Sequence, residues 1–215
     1  SCLEGNGMSA PQGTDEWKAE RVGKVTASKL IDIIDRTKSG SFTAKRTAYI
    51  SQLAIERISG QPYTFTPSAS MDWGTKTEPE ARNAYRETVF EEVNEVGFIP
   101  HPSIIDAGAS PDGLVGDDGL VEIKCPESHT HIGYFLDGNV PEKYTHQMQW
   151  QMACTGRQWC DFVSYDPRCP EGLRLFVKRL ERDDIYISTA EETVRRFLAE
   201  VDVMVEKLKN KLSEK

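Results

Sequence analysis

The sequence predicts an α/β fold, a central mixed β-sheet flanked by helices. Three observations carry this expectation. The last stretch of the chain holds a clear helical stripe: Val194, Phe197, Leu198, Val201, Met204, Val205, Leu208 and Leu212 recur at i, i+3, i+4, i+7 spacing. From 91 to 124 the pattern changes to short runs separated by Gly, Pro and Asp, which read as strands. Helical stretches at 128–137 and 142–155 then lead to apolar strands at 159–165 and 173–180. Strands interleaved with helices suit a mixed sheet of about five strands.

Taken in order, residues 1–7 (SCLEGNG) before Met8 read as a vector scar, leaving 8–215 as one domain. Residues 14–22 (TDEWKAERV) open on Thr14, whose hydroxyl suits a helix N-cap, and read as a short helix. TASKLIDIID follows, with Thr26 or Ser28 as cap and Leu30, Ile31, Ile33 and Ile34 apolar. Residues 36–42 (RTKSGSF) form a polar loop. A helix over 43–58 carries Ala48, Leu53, Ile55 and Ile58, ends at Gly60, and is followed by a loop marked by Pro62 and Pro67. Residues 72–89 read as a helix with Glu78, Pro79 and Glu80 in its early turn, where proline is tolerated. Gly138, Asn139 and Pro141 split the next two helices.

Composition narrows the function classes. Of 215 residues, 38% are apolar and 28% charged, the balance of a soluble globular chain. No run approaches the roughly 20 apolar residues of a membrane span, and no signal-peptide core is present, so no membrane role is expected. Cys2 lies in the scar. Cys125, Cys154, Cys160 and Cys169 form no C-x-x-C pair and lack iron–sulfur spacing, which argues against a zinc ribbon, a cluster or a secreted disulfide scaffold. A reducing cytosol is the expected home. The net charge of −8 alone counts against a nucleic-acid partner. Its distribution is uneven, however. Lys18, Arg21, Lys24, Lys29, Arg36, Lys38, Lys45 and Arg46 cluster early, and acids cluster at 78–95 and near the C-terminus. A basic face on an acidic body is compatible with this, and a bound divalent metal would add positive charge locally.

The most informative segment is SPDGLVGDDGLVEIKCP, residues 110–126. It reads as strand, tight turn, strand, with Asp117, Asp118 and Gly119 as a three-residue loop. That register pairs Gly116 with Leu120, Leu114 with Glu122, and Asp112 with Lys124. Strand side chains alternate faces, so Asp112, Glu122 and Lys124 share one face. Asp112 and Glu122 become diagonal neighbours, roughly 7–8 Å apart at Cα, close enough to converge on one cation. Two carboxylates in an oxygen-rich cleft suit Mg²⁺, with the Ile123 carbonyl as a further ligand. Lys124 can hold an attacking water or neutralise developing charge. A two-residue loop would flip the parity and undo the arrangement. Alone, D-x(9)-E-x-K matches many unrelated chains. A Ca²⁺ loop built on Asp112, Asp117, Asp118 and Glu122 lacks the spacing that such loops need.

SPDGLV…LVEIKCP resembles the PD-(D/E)xK nuclease motif, in the form seen in the phage lambda exonuclease family of viral recombination nucleases. WKAERVGKVTAS (17–28), MDWGTKTEPEA (71–81), KYTHQMQWQM (143–152) and FVSYDPR (162–168) resemble further segments of that family, in the same order. The resemblance implies a PD-(D/E)xK, restriction-endonuclease-like core and a single nuclease domain over 8–215. It implies Asp112 and Glu122 as metal ligands, Lys124 as the catalytic lysine, Glu78 near a second metal position, and Gln147 beside the metal. Tyr144 lies one helical turn before Gln147 on the same face. Arg21, Ser28 and Ser110 match residues placed around a terminal 5′-phosphate; Arg forks onto phosphate oxygens, and Ser28 sits at a helix start. Met71 could lie at the DNA fork as an apolar wedge between base pairs. Trp17 reads as core, with a contact to DNA as the alternative. His129 and His131 read as polar surface, and Cys125 as a small buried strand-end residue.

The function implied is a Mg²⁺-dependent exonuclease, with one or two ions and Mn²⁺ as a substitute. It would digest one strand of duplex DNA 5′ to 3′ from a phosphorylated end. The 3′ single strand left behind would serve a single-strand annealing protein. The resemblance further implies a homotrimeric ring and a phage- or prophage-encoded protein in the bacterial host cytosol. Three rivals stay open: a structure- or sequence-specific endonuclease on the same core, a silent DNA-binding or assembly protein, and a non-nucleolytic Mg²⁺ or Ca²⁺ module.

Overall fold

The computed structural model describes residues 9–64 and 66–214; the expected scar and Cys2 lie outside them. Local sequence explains the first helices. The Thr14 hydroxyl accepts from the Trp17 N–H and starts α1 (Asp15–Glu20). Strand β1 (Val25–Thr26) runs into a 3₁₀ turn (Ala27–Lys29) and then α2 (Leu30–Ile34). Helix α3 (Ala44–Ser59) ends on Gly60 in the left-handed conformation, which glycine adopts without steric cost. Helix α4 (Ala69–Val89) begins earlier than its sequence pattern suggests, because the Ser68 hydroxyl accepts from the Met71 N–H. Pro79 therefore sits inside the helix rather than in its first turn.

Five short strands follow: β2 (Val93–Asn94), β3 (Ile99–Pro100), β4 (Ala107–Ala109), β5 (Gly113–Val115) and β6 (Gly119–Lys124). Helices α5 (Ser128–Asp137) and α6 (Glu142–Thr155) then lead to β7 (Trp159–Tyr165), β8 (Leu175–Glu181) and the long α7 (Asp184–Ser213). The central sheet has five strands in the order β2-β5-β6-β7-β8. Within this sheet only β6 and β7 run parallel, and α5 and α6 supply the crossover that parallel neighbours require. A second, three-stranded sheet, β1-β4-β3, is an addition to the expected architecture. Its strands are two or three residues long, too short to show a period-two signal.

The central sheet separates two apolar clusters. On one face Tyr85 and Ala81 of α4 pack on Val115, Val121, Ile123 and Val163. On the other, Leu120 and Phe162 meet α6, with α3 and α7 behind it through Leu53, Trp150 and Phe197. Strand β6 is thus buried on both faces, and every residue from Gly119 to Ile123 is buried. Ile55 and Leu212, expected in apolar stripes, are exposed instead.

Beyond β7, Asp166 is fully buried and binds the Ser128 hydroxyl at 2.6 Å and Arg168 Nε at 2.8 Å. Burial pushes its carboxyl upward, but the bonds from Arg168 and Ser128 outweigh burial and hold it at about 2. A carboxylate depressed in the folded state stabilises the fold above about pH 4, and this contribution fades as pH falls toward 2. Asp166→Asn is expected to cost about 2 kcal/mol at pH 7, with the gap to wild type narrowing at pH 3. Urea unfolding at both pH values measures this; an equal gap at both would contradict it.

Candidate active site

The β5–β6 hairpin pairs Gly113 with Val121, Leu114 with Leu120, and Val115 with Gly119. The loop is three residues long, as expected, but it is Gly116–Asp117–Asp118, so the register slips by two. Gly116, not Gly119, takes the left-handed conformation (φ 50°). Gly119 is required for a different reason: a Cβ there would lie 2.1 Å from the Trp159 ring. Arg157 Nη1 donates to the carbonyls of Gly116 and Gly119, both at 2.8 Å, and pins the turn. A slip of two preserves parity. Extending the register by one residue sets Asp112 directly opposite Glu122, closer than the diagonal arrangement. Leu120, Glu122 and Lys124 face α6, while Val121 and Ile123 face α4.

Glu122 occupies a core position and is 1% exposed. A carboxylate there needs donors on both oxygens. Helix α6 supplies two, one turn apart: Gln147 Nε2 donates to Oε1 at 2.7 Å and Gln151 Nε2 to Oε2 at 2.6 Å. Lys124 Nζ pairs with Oε1. Burial works to lower the Lys124 pKa, but Glu122 and Asp112 outweigh it and hold the ammonium above the usual lysine range. The Lys124 Nζ lies 5.1 Å from the centroid of the Tyr144 ring, which stacks on Phe162. Tyr144 is thus half-buried and forms a platform for Lys124.

Asp112 keeps partial solvent access at the cleft floor, and its Oδ2 accepts the Ile123 N–H at 2.7 Å. Burial pushes its pKa well up and the Glu122 charge adds to this. In a strand the N–H and C=O of such a residue point the same way, so the Ile123 carbonyl also faces the gap where β5 ends. Glu78, from mid-α4, is gripped by Arg82 at 2.5 Å; Arg82 also donates to the Asp112 carbonyl at 3.3 Å. Burial raises Glu78, Arg82 offsets part of this, and Glu122 adds to it.

Three carboxylates, Glu78, Asp112 and Glu122, thus face two cations, Arg82 and Lys124. Glu95 also pairs with Arg82 at 3.3 Å, so carboxylates outnumber cations here, a balance that suits a bound cation. Among the described residues no three His, Cys, Asp or Glu side chains converge tightly enough to cage an ion. The set that fits is Asp112, Glu122 and the Ile123 carbonyl. It is an oxygen-only donor set of the kind that suits a hard cation such as Mg²⁺ or Mn²⁺.

A second cluster gathers around Ser110, two residues before Asp112. The Arg21 guanidinium covers the Trp17 ring at 3.9 Å, and Trp17 Nε1 donates to Ser110 Oγ at 3.0 Å. Trp17 is half-buried and bridges the two residues, rather than belonging to the core. Arg21 Nε is buried with no hydrogen-bond partner, and Arg21 forms no ion pair among the described residues. Ser28 is exposed but sits mid-way along the 3₁₀ turn, not at the start of a helix. Met71 is 47% exposed on the first turn of α4.

Residues 16–158 match the YqaJ-like viral recombinase domain. The chain belongs to this family. It is 49% identical to an alkaline exonuclease from Laribacter hongkongensis, covering 94% of this chain and 99% of that one, with a TM-score of 0.86. The same enzyme solved in complex with dAMP gives a TM-score of 0.87. A phage-related exonuclease from Haemophilus somnus 129PT, at 16% identity and a TM-score of 0.66, shares the fold over 86% of this chain and 96% of its own. No curated protein matches. The chain is an exonuclease of the YqaJ-like family, on a PD-(D/E)xK-like core.

Several features of this family member escape sequence reading. Gln151 is one, although its i+4 spacing from Gln147 on a buried helix is a usable signal. Arg82, four residues after Glu78, is another. His131 is a correction: it is fully buried, bonded to Ser164 Oγ and the Leu173 carbonyl, both at 2.7 Å. Cys125 is the expected buried strand-end residue, and burial pushes its thiol up to about 12, far from a thiolate. Cys125, Cys154, Cys160 and Cys169 are free thiols. No described helix is long and apolar enough to cross a membrane.

Proposed function

We propose that this exonuclease digests one strand of linear duplex DNA in the 5′ to 3′ direction from a phosphorylated end. The reaction depends on Mg²⁺, with Mn²⁺ as a substitute, releases mononucleotides and leaves a 3′ single strand. The observation that carries this reading is the convergence of Asp112, Glu122 and Lys124 in one charged cleft. Asp112, Glu122 and the Ile123 carbonyl hold the ion, with Glu78 near a second position. When bound, Mg²⁺ supplies Lewis acidity at the scissile phosphate. Lys124 and Gln147 position the attacking water and the phosphate. Lys124 also supplies a fixed positive charge where negative charge builds in the transition state. The dAMP complex of the Laribacter enzyme holds a mononucleotide of the class this reaction would release.

Arg21 is the residue for the terminal 5′-phosphate. Among the described residues its guanidinium makes no ion pair and its buried Nε lacks a hydrogen-bond partner, which leaves donors available to a phosphate. Ser110 and Ser28 would add hydroxyls, and the exposed Met71 would serve as the wedge at the fork. Arg21→Ala is expected to reduce the preference for phosphorylated over hydroxyl ends by about 10–100-fold. Competition between the two end types measures this. We also assign a three-subunit ring, which would gather each subunit's basic segment in one channel and so reconcile duplex binding with the net charge of −8. A single-strand annealing protein is the partner, in the host cytosol of a phage or prophage.

The test is strand loss from linear duplex DNA with a 5′-phosphate on one end, beside covalently closed duplex, with Glu122→Ala as control. Loss of the phosphorylated strand alone, with the circle intact and the variant inactive, is expected. Nicking of the circle would favour an endonuclease. No cleavage of either, in Mg²⁺ or Mn²⁺, would leave only the shared fold.

A further inference from the structure

Three glutamines alternate along α6 at 147, 149 and 151. Gln149 is spent on structure: its Nε2 donates to the Glu181 carbonyl and its Oε1 accepts the Asp183 N–H. Gln151 is fully buried and differs from both neighbours. Its Nε2 donates to Glu122 Oε2 at 2.6 Å, while its Oε1 accepts from the Cys160 thiol at 3.8 Å. The two bonds set the amide's orientation. Rotating the amide by 180° would place its oxygen against the carboxylate and its NH₂ group against the thiol, losing the stronger charge-assisted bond. Cys160 is itself fully buried on β7, beside β6, and burial holds it as the neutral S–H donor.

Glu122 is thereby held unequally. Oε2 points into the core and is taken by Gln151; Oε1 lies on the side of Lys124 and Gln147. We propose that Gln151, anchored by Cys160, is a positioning residue that fixes the Glu122 carboxylate so that Oε1 is the oxygen turned toward the cation. Partners of metal-ligating carboxylates set the ligand's orientation, and their loss weakens metal binding by about 10–100-fold. This inference rests on the metal-dependent reading of the site.

The test is Mn²⁺ binding to the DNA-free protein, followed by electron paramagnetic resonance, with duplex affinity in EDTA measured alongside. Wild type is expected to bind Mn²⁺. Gln151→Leu, close in volume, is expected to bind it about 10–100-fold more weakly while keeping its duplex affinity. Cys160→Ala is expected to weaken Mn²⁺ binding by a smaller factor, and Cys160→Ser, which restores a donor, to recover it. A folded Gln151→Leu that binds Mn²⁺ like wild type would overturn the inference. If Gln151→Leu does not fold, the Cys160 pair decides: Cys160→Ala equal to wild type, or Cys160→Ser as weak as Cys160→Ala, would overturn it. A wild-type protein that binds no Mn²⁺ would overturn the metal-dependent reading itself, a different failure.

Discussion

Replacing Lys124 with alanine is expected to lower the rate of strand hydrolysis about 10³-fold while duplex binding in EDTA changes little. The ammonium belongs to the Glu122 pair and to the platform of the Tyr144 ring, both inside the cleft, so it contributes little to holding the duplex. Burial works against the Lys124 charge, but Glu122 and Asp112 outweigh it and hold its pKa above the usual lysine range, which favours the ammonium form in the metal-free protein. Its role is that of a fixed charge. Lys124→Arg keeps the charge but widens the head group against Gln147 and Tyr144, and should recover only part of the rate. Single-turnover cleavage of an end-labelled duplex separates these cases. Full activity in Lys124→Ala would remove the mechanism.

Asp112→Asn is expected to abolish metal-dependent cleavage, with a fall of about 10³-fold or more, and at the same time to stabilise the metal-free protein. The isosteric amide can still accept the Ile123 N–H, so the hairpin keeps its shape. Burial first and Glu122 second push the Asp112 carboxyl well up, so the ionised form strains the metal-free fold. A group raised in the folded state stabilises it below about pH 4, and that contribution is lost as pH rises through the folded pKa. The advantage of Asp112→Asn should therefore grow toward alkaline pH and amount to about 3 °C in melting temperature, measured in EDTA. Added Mn²⁺ should raise the wild-type melting temperature and leave the variant's unchanged. A variant less stable than wild type at pH 8, with cleavage retained, would show that Asp112 is a structural residue.

Much of this site is legible in the sequence, and each departure from it has a specific physical cause. The hairpin, its loop length and the shared face of Asp112, Glu122 and Lys124 follow from period-two alternation and turn chemistry. The register slipped by two because two glycines, Gly116 and Gly119, bracket the turn. Either can take the left-handed conformation, and only the Trp159 ring against Gly119 distinguishes them. Pro79 reads as part of an early turn because the pattern starts the helix at 72, about one turn after the Ser68 cap that the structure uses. His131 was expected at the surface because a lone polar residue carries no sign of a Ser164 hydroxyl and a Leu173 carbonyl waiting to bond it.

The division has one physical cause. Helix periodicity, caps, left-handed glycines and strand alternation are set within a few residues of one another, so the sequence by itself determined the longer elements, the α/β class and the residue types at the site. Which oxygen meets which donor depends on contacts between distant segments. Arg82 reaching Asp112, Gln151 reaching Glu122, Trp17 reaching Ser110 and Cys160 reaching Gln151 all arise from packing α4, α6, α1 and β7 around a central strand buried on both faces. A carboxylate can stay in that core only if neighbours from several elements donate to it. Those donors are what tertiary structure alone decided.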